Sequence, residues 1–241
     1  MNSKFLIASS AILGLLLGSS PIFPVAQPAI AQTSKKPKNQ NEINKVKSAM
    51  EVLKQMTEGD KKNIPASLIR RSRGIAIIPN IAQGAFIIGA RRGKGIMVMR
   101  NADGSWGNPA FFSVTGGSIG LQVGGQSTDM ILLLQTTRAV EAMKDGNFDF
   151  GGSVSGAAGP LSEGAVDSLE KESDIYTYSR SKGLFGSVSV EGTELDFNKG
   201  NNEDFYNRPD ITPQEIFNNP NLSAPAIVGQ LRQALRRAER R

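Results

Sequence analysis

Histidine and cysteine carry much of the side-chain chemistry available near neutral pH, and this 241-residue sequence has neither. Without His there is no Ser-His-Asp or Cys-His arrangement, because the usual base is missing. Without Cys there is no thiol nucleophile, thiolate zinc site, cysteine-ligated cluster or disulfide. Acid–base work would fall to Asp, Glu, Lys or Tyr. Metal sites would be carboxylate-only, which suits hard cations. The motifs that organise such groups are missing too. No G-x-G-x-x-G follows a strand, and there is no phosphate loop ending in Gly-Lys-Ser/Thr. No G-x-S-x-G elbow occurs. Asn201-Asn202-Glu203-Asp204 offers oxygen ligands but lacks the central Gly of a calcium loop. Ser181 and Lys182 are neighbours in sequence, which does not bring one side chain onto the other. These residue types point away from an enzyme and from a bound cofactor or metal, toward a binding or structural protein.

What remains is constant positive charge. The formal net charge is +6, unevenly spread. Between Lys61 and Arg100 lie nine bases (Lys61, Lys62, Arg70, Arg71, Arg73, Arg91, Arg92, Lys94 and Arg100) and no acid. Residues 101–230 hold seven bases and 17 acids, a net of −10, and residues 231–241 hold five bases and one acid. A basic block of this kind recruits an anionic surface, or it packs beside the acidic body and neutralises it. Each Lys or Arg close to an anionic membrane contributes ~1 kcal/mol, so four or five on one face suffice for weak binding. Nucleic acid is disfavoured as the partner. Stacking platforms need aromatics interleaved with the bases, and the block holds only Phe86.

These bases need elements to position them. The first 31 residues are not read as part of the fold. Phe5–Leu17 is an apolar run of 13 residues, and Ala29-Ile30-Ala31 fits the small-x-small cleavage rule. A signal peptide over 1–31 is expected, with an uncleaved anchor as the alternative. Residues 32–41 read as a flexible basic arm. From Glu42 to Met56, apolar residues recur at helical spacing, which predicts an amphipathic helix. Ile64-Pro65 opens a second short helix whose last turn carries Arg70, Arg71 and Arg73, where they also complement the helix dipole.

From Ile75 onward short apolar runs alternate with turn signals. Strands are predicted at Ile75–Ile78, Gly84–Gly89, Gly95–Met99, Ala110–Val114, Ser118–Val123 and Met130–Leu134, the last central. Arg91-Arg92-Gly93-Lys94 reads as a basic hairpin tip. A helix capped by Thr137 runs to Lys144. Residues 151–165 read either as a tightly packed glycine-rich strand or as a mobile loop. Asp174–Ser179 and Leu184–Val190 form a hairpin, and a short strand follows near Leu195–Phe197. Asn198–Asn207 is polar and acidic. Thr212 caps a short helix, and Pro225–Arg241 is a basic C-terminal helix. The expected fold class is α+β: a strongly curved, mainly antiparallel, barrel-like sheet with N- and C-terminal helices packed against it.

The middle of the chain resembles the SYLF domain family of lipid-binding and actin-regulator domains. The resemblance rests on Ile64-Pro65, Gly74-Ile75-Ala76-Ile77-Ile78-Pro79, Gly93-Lys94-Gly95, Asp103-Gly104-Ser105-Trp106 and Pro109-Ala110-Phe111. It continues through Gly116–Gly124 and Tyr178-Ser179-Arg180-Ser181-Lys182-Gly183-Leu184-Phe185. Order and spacing agree over about residues 45–220. The organisation is then signal peptide 1–31, arm 32–41, SYLF-like domain 42–222 and basic C-terminal helix 223–241.

The resemblance implies a non-enzymatic module that binds membrane lipids, phosphoinositides in eukaryotic members, through a basic and amphipathic N-terminal part. In this chain the corresponding places are the helix at 42–56 and the nine bases from Lys61 to Arg100. Some eukaryotic members bind actin. Here the expected export, to a periplasmic or extracellular setting, argues against actin, and other anionic lipids would stand in for phosphoinositides. The alternative function is a structural or assembly protein of the cell envelope that meets another protein through its glycine-rich faces.

Overall fold

Val46, Ala49, Leu53 and Met56 recur at three- and four-residue spacing and are buried on one stripe of α1 (Gln40–Thr57). Burial of Val46, Leu53 and Met56 contributes about 1.5–3 kcal/mol each, which outweighs the modest helix propensity of Val46. The structure, a computed structural model, describes residues 39–58, 64–83, 91–116, 127–149, 154–169, 173–181, 184–187 and 193–240. They all belong to one compact unit, Lys36–Arg241. The expected signal peptide and most of the arm lie outside the described residues, as do the strands at Ser118–Val123 and Gly84–Gly89.

After α1 come α2 (Ala66–Arg71), β1 (Gly74–Gln83), β2 (Arg91–Arg100), β3 (Trp106–Gly116) and β4 (Ser127–Leu134). Then follow α3 (Thr137–Lys144), β5 (Asn147–Asp149), β6 (Gly156–Ala158), α4 (Glu163–Asp167), β7 (Ile175–Ser181) and β8 (Leu184–Ser187). The chain ends with β9 (Thr193–Phe197), α5 (Lys199–Tyr206), α6 (Pro213–Asn218) and α7 (Ile227–Ala238). Among the described residues the sheet has nine strands in the order β5-β9-β3-β2-β1-β4-β7-β6, with β8 on the same side of β7 as β6. Every pairing is antiparallel except β6 with β7. The sheet is strongly curled, a half-barrel with helices packed on it, as the sequence predicts. β4 is central, and Met130 to Leu134 are all buried. Helices α1 and α7 pack on each other, α1 against β1 and β2, and α6 and α7 against β3.

The strand ends differ from the sequence reading at one instructive place. The predicted strand ends at Ile78, just before Pro79-Asn80. Instead β1 runs through it to Gln83, with a bulge between Ile78 and Ile81 and Asn80 in the left-handed region at φ 53°. A bulge tolerates Pro because no ladder hydrogen bond is needed there. The Asn80 amide is satisfied by Asp129 Oδ1 at 3.0 Å. The bulged strand presses on β2: a Cβ on Gly95 would lie 2.6 Å from the Ile77 carbonyl oxygen. Consequently Arg91 to Lys94 are strand residues, registered against Gly116 to Ser113, and not the predicted hairpin tip.

Two further elements correct the sequence reading. The polar stretch 198–207 contains α5, capped by the Asn198 side chain and ended by Asn207 in the left-handed region. In the glycine-rich segment 151–165, Gly156–Ala158 form the strand β6, in line with the strand alternative, and the unpredicted helix α4 begins at Glu163. The glycines permit close approach: a Cβ on Gly159 would lie 2.2 Å from Tyr178 Cζ. The cap of α3 is Thr136 rather than Thr137. The α6 cap is a full capping box between Thr212 and Glu215, as its sequence predicts.

Candidate functional site

The strand register divides the basic block between two ends of the sheet. Gly74 pairs with Met99 at one end of the β1–β2 ladder and Gln83 with Arg91 at the other. Nine residue steps at ~3.3 Å separate Arg91 from Arg100, about 30 Å. Arg70, Arg71, Arg73 and Arg100 gather at the Gly74 end. Arg91 and Arg92 are placed by their backbone at the opposite end, with Lys94 two residues further in. Lys61 and Lys62 lie outside the described residues.

Arg100 holds the Gly74 end together. Its Nε donates to the Ser72 carbonyl at 2.7 Å and its Nη1 to Gly104 O at 2.8 Å. Its Nη2 reaches the carbonyls of Ile69 and Arg70 at 3.1 and 3.3 Å and bonds the Glu239 carboxylate. The guanidinium lies 4.1 Å from the centroid of the Trp106 ring. It therefore caps the last turn of α2 from another element, where positive charge and unpaired carbonyls are complementary. With a side chain 18 % exposed, Arg100 is a brace with little surface left for a ligand.

The same carboxylate brings in the C-terminus. Glu239 Oε1 accepts from Trp106 Nε1 at 2.9 Å, and its carbonyl accepts from Arg70 Nη1 at 2.6 Å. Buried Ile227, Leu231 and Leu235 dock α7, and Arg232 ties it to Gly107 O and Asn108 Oδ1 at 3.1 and 2.9 Å. The end of α7 is thereby fixed beside the end of α2. Arg70, Arg71, Arg73, Arg236, Arg237 and Arg240 are all exposed there. The sequence shows the basic tail, but nothing local reveals that it lands on α2. A groove of about 380 Å3 between α1 and α7 adjoins this surface, with Met50, Leu53 and Ala234 in its floor and Lys54 and Arg237 at its edge.

Lys94 belongs to a different cluster. Its Nζ donates to Asn201 Oδ1 at 3.2 Å, and Asn201 Nδ2 donates to Glu42 Oε1 at 2.6 Å. Glu42 is 4 % exposed, and its Oε2 has no hydrogen-bond partner among the described residues. Lys45 beside it titrates below its ordinary range, first because it is half-buried and second because Lys94 is near. This cluster docks the start of α1 onto α5 and is too mixed in charge to extend the basic surface.

Among the described residues, no group of three or more Asp or Glu side chains could hold a metal ion. No helix among them is long and apolar enough to cross a membrane. The geometry offers exposed, permanently charged guanidinium groups on rigid helix ends. It can bind anionic groups by charge and paired hydrogen bonds.

Residues 115–238 match the Ysc84 family, described as "Las17-binding protein actin regulator". Human SH3 domain-containing YSC84-like protein 1 is 38% identical over 172 residues, which cover 68% of this chain and 50% of that protein. The Xenopus laevis protein of the same name is 35% identical over 179 residues, 70% of this chain and 53% of its own. LAS seventeen-binding protein 3 of Saccharomyces cerevisiae is 36% identical over 148 residues, 59% of this chain and 32% of its own. The chain thus spans about half the length of the first of these relatives, 50% of it. The name of the yeast relative describes a binding protein. By its match over residues 115–238 and its similarity to these proteins, the chain belongs to the Ysc84 (SYLF) family.

Proposed function

We propose that this chain is an exported peripheral membrane module that docks on anionic lipid head groups through the arginines at the ends of α2 and α7. One observation supports the reading: Glu239 joins the two helix ends, so six exposed arginines drawn from residues 70–73 and 236–240 lie at adjoining helix ends. At ~1 kcal/mol for each base near an anionic membrane, that number supports binding where either helix end alone would not. Lys61 and Lys62, a few residues before α2, belong to the same proposal by sequence proximity. Arg91, Arg92 and Lys94 do not, because the register sets them toward the far end of the sheet. Export rests on the apolar run Phe5–Leu17 followed by Ala29-Ile30-Ala31.

Vesicle co-sedimentation tests this reading. Phosphatidylglycerol-containing vesicles should bind the protein, phosphatidylcholine vesicles should not, and added salt should weaken binding. Equal, salt-indifferent binding to both vesicle types would overturn it.

A second reading is favoured by the family description, which names an actin regulator, and by a yeast relative named for binding Las17. In this reading the same arginine surface meets an acidic protein, an actin-regulatory one or, after export, an envelope protein. A stoichiometric protein partner captured from envelope extract, together with no vesicle binding, would favour it over the lipid reading.

A further inference from the structure

The α2 arginines already face anionic groups of their own chain. Glu163, the first residue of α4, accepts the Ser67 N–H at 3.2 Å through Oε1 and the Ser67 hydroxyl through Oε2. Asp167, one turn later, stands 3.9 Å from Arg71 Nη2, with both side chains largely exposed. Partial burial raises the Glu163 carboxyl, but the Ser67 bonds and the charge of Arg70 outweigh it and hold the group below its ordinary range. Helix α4 has only Val166 buried, and its other four residues are exposed.

We propose that α4 is an acidic strap: Glu163 and Asp167 compete with an external anionic membrane for Arg70 and Arg71 and lower the affinity of the basic surface. The proposal rests on the lipid-docking reading and adds regulation to it. An exposed pair such as Arg71–Asp167 holds its partners weakly and exchanges readily with other anions. A phosphate oxygen offers the guanidinium the same paired hydrogen bonds as a carboxylate. The strap is short and rests on one buried side chain, so it yields without disturbing the sheet.

The test is co-sedimentation of the full chain with phosphatidylglycerol–phosphatidylcholine vesicles. Wild type is compared with Glu163→Gln/Asp167→Asn and with a control of equal charge change, Glu194→Gln/Asp204→Asn, on β9 and α5. The carboxamide introduced by Glu163→Gln keeps an acceptor for Ser67, and thermal melting monitors the fold. The strap variant should reach half-binding at roughly tenfold less lipid, and the control should shift much less, since only charges near the surface contribute. Equal binding by strap variant and wild type overturns the strap and leaves the docking reading standing. Equal tightening in the control also overturns it, because net charge alone would then suffice. No binding by any of the three overturns the docking reading and the strap together.

Discussion

Arg70 and Glu239, 169 positions apart in the chain, are joined by a 2.6 Å hydrogen bond from Arg70 Nη1 to the Glu239 carbonyl. The Glu239 side chain meanwhile binds Arg100 and Trp106. This one residue joins the end of α2, with its part of the basic block, to the basic tail. Glu239→Gln keeps the shape but weakens two charge-assisted bonds. It should lower stability by about 1–3 kcal/mol and loosen the end of α7. Trp106 is the only tryptophan and is buried, so its emission should shift to the red as α7 loosens. Unchanged emission and an unchanged melting temperature would contradict the brace.

Asn202 closes an edge of the sheet. Its Oδ1 accepts the Phe111 N–H and its Nδ2 donates to the Phe111 carbonyl, both at 2.9 Å. Strand β9 pairs with Phe112 to Gly116 only, so the carboxamide gives the Phe111 N–H its acceptor and joins the Asn198 N–H on the Phe111 carbonyl. Asn202→Asp removes the donor and buries a charge. It should cost about 2–3 kcal/mol or more, read as a lower urea midpoint with an unchanged slope.

The bulge at Pro79-Asn80 makes the glycines of β2 unequal to others. Gly95→Ala pushes a methyl into the Ile77 carbonyl, where the Cβ distance is 2.6 Å, and should cost about 1–3 kcal/mol. Gly186→Ala, with nothing within 4 Å among the described residues, should stay within about 0.5 kcal/mol. Comparable losses in the two variants would show that the bulge does not press on β2.

Asp174 gives the fold an acid limit. Burial raises its carboxyl, but hydrogen bonds from Arg138, Thr136 and Ser155 together overcome burial and hold it well below the usual carboxylate range. A depressed folded value means its contribution is complete above the unfolded value of about 3.9 and is lost as pH falls below it. Wild type should lose stability below about pH 4 more steeply than Asp174→Asn, which starts lower. With no His, neither stability nor vesicle binding should change between about pH 6 and 8.

Local patterns made much of this fold legible. The stripe of α1, the apolar run of β4, the capping box of α6 and the apolar face of α7 are each written within one element. Helix α5 was not legible. Its inward residues include Asn202, which is buried for its hydrogen bonds to Phe111 rather than for apolar area. The candidate surface was half legible. The sequence shows which residues are basic, but the register of β1 with β2 moves Arg91 and Arg92 away. A long-range contact at Glu239 brings Arg236, Arg237 and Arg240 in. Spacing along the chain carries neither fact.

The most direct measurement compares vesicle affinity for two sets of substitutions at the two ends of the sheet. In phosphatidylglycerol-containing vesicles, Arg236→Gln/Arg237→Gln/Arg240→Gln should weaken binding at least tenfold, at ~1 kcal/mol for each base removed. Arg91→Gln/Arg92→Gln should leave it within about threefold, since those residues lie about 30 Å away. The reverse result, loss at Arg91 and Arg92 with the tail variant unaffected, would contradict docking through the α2–α7 surface.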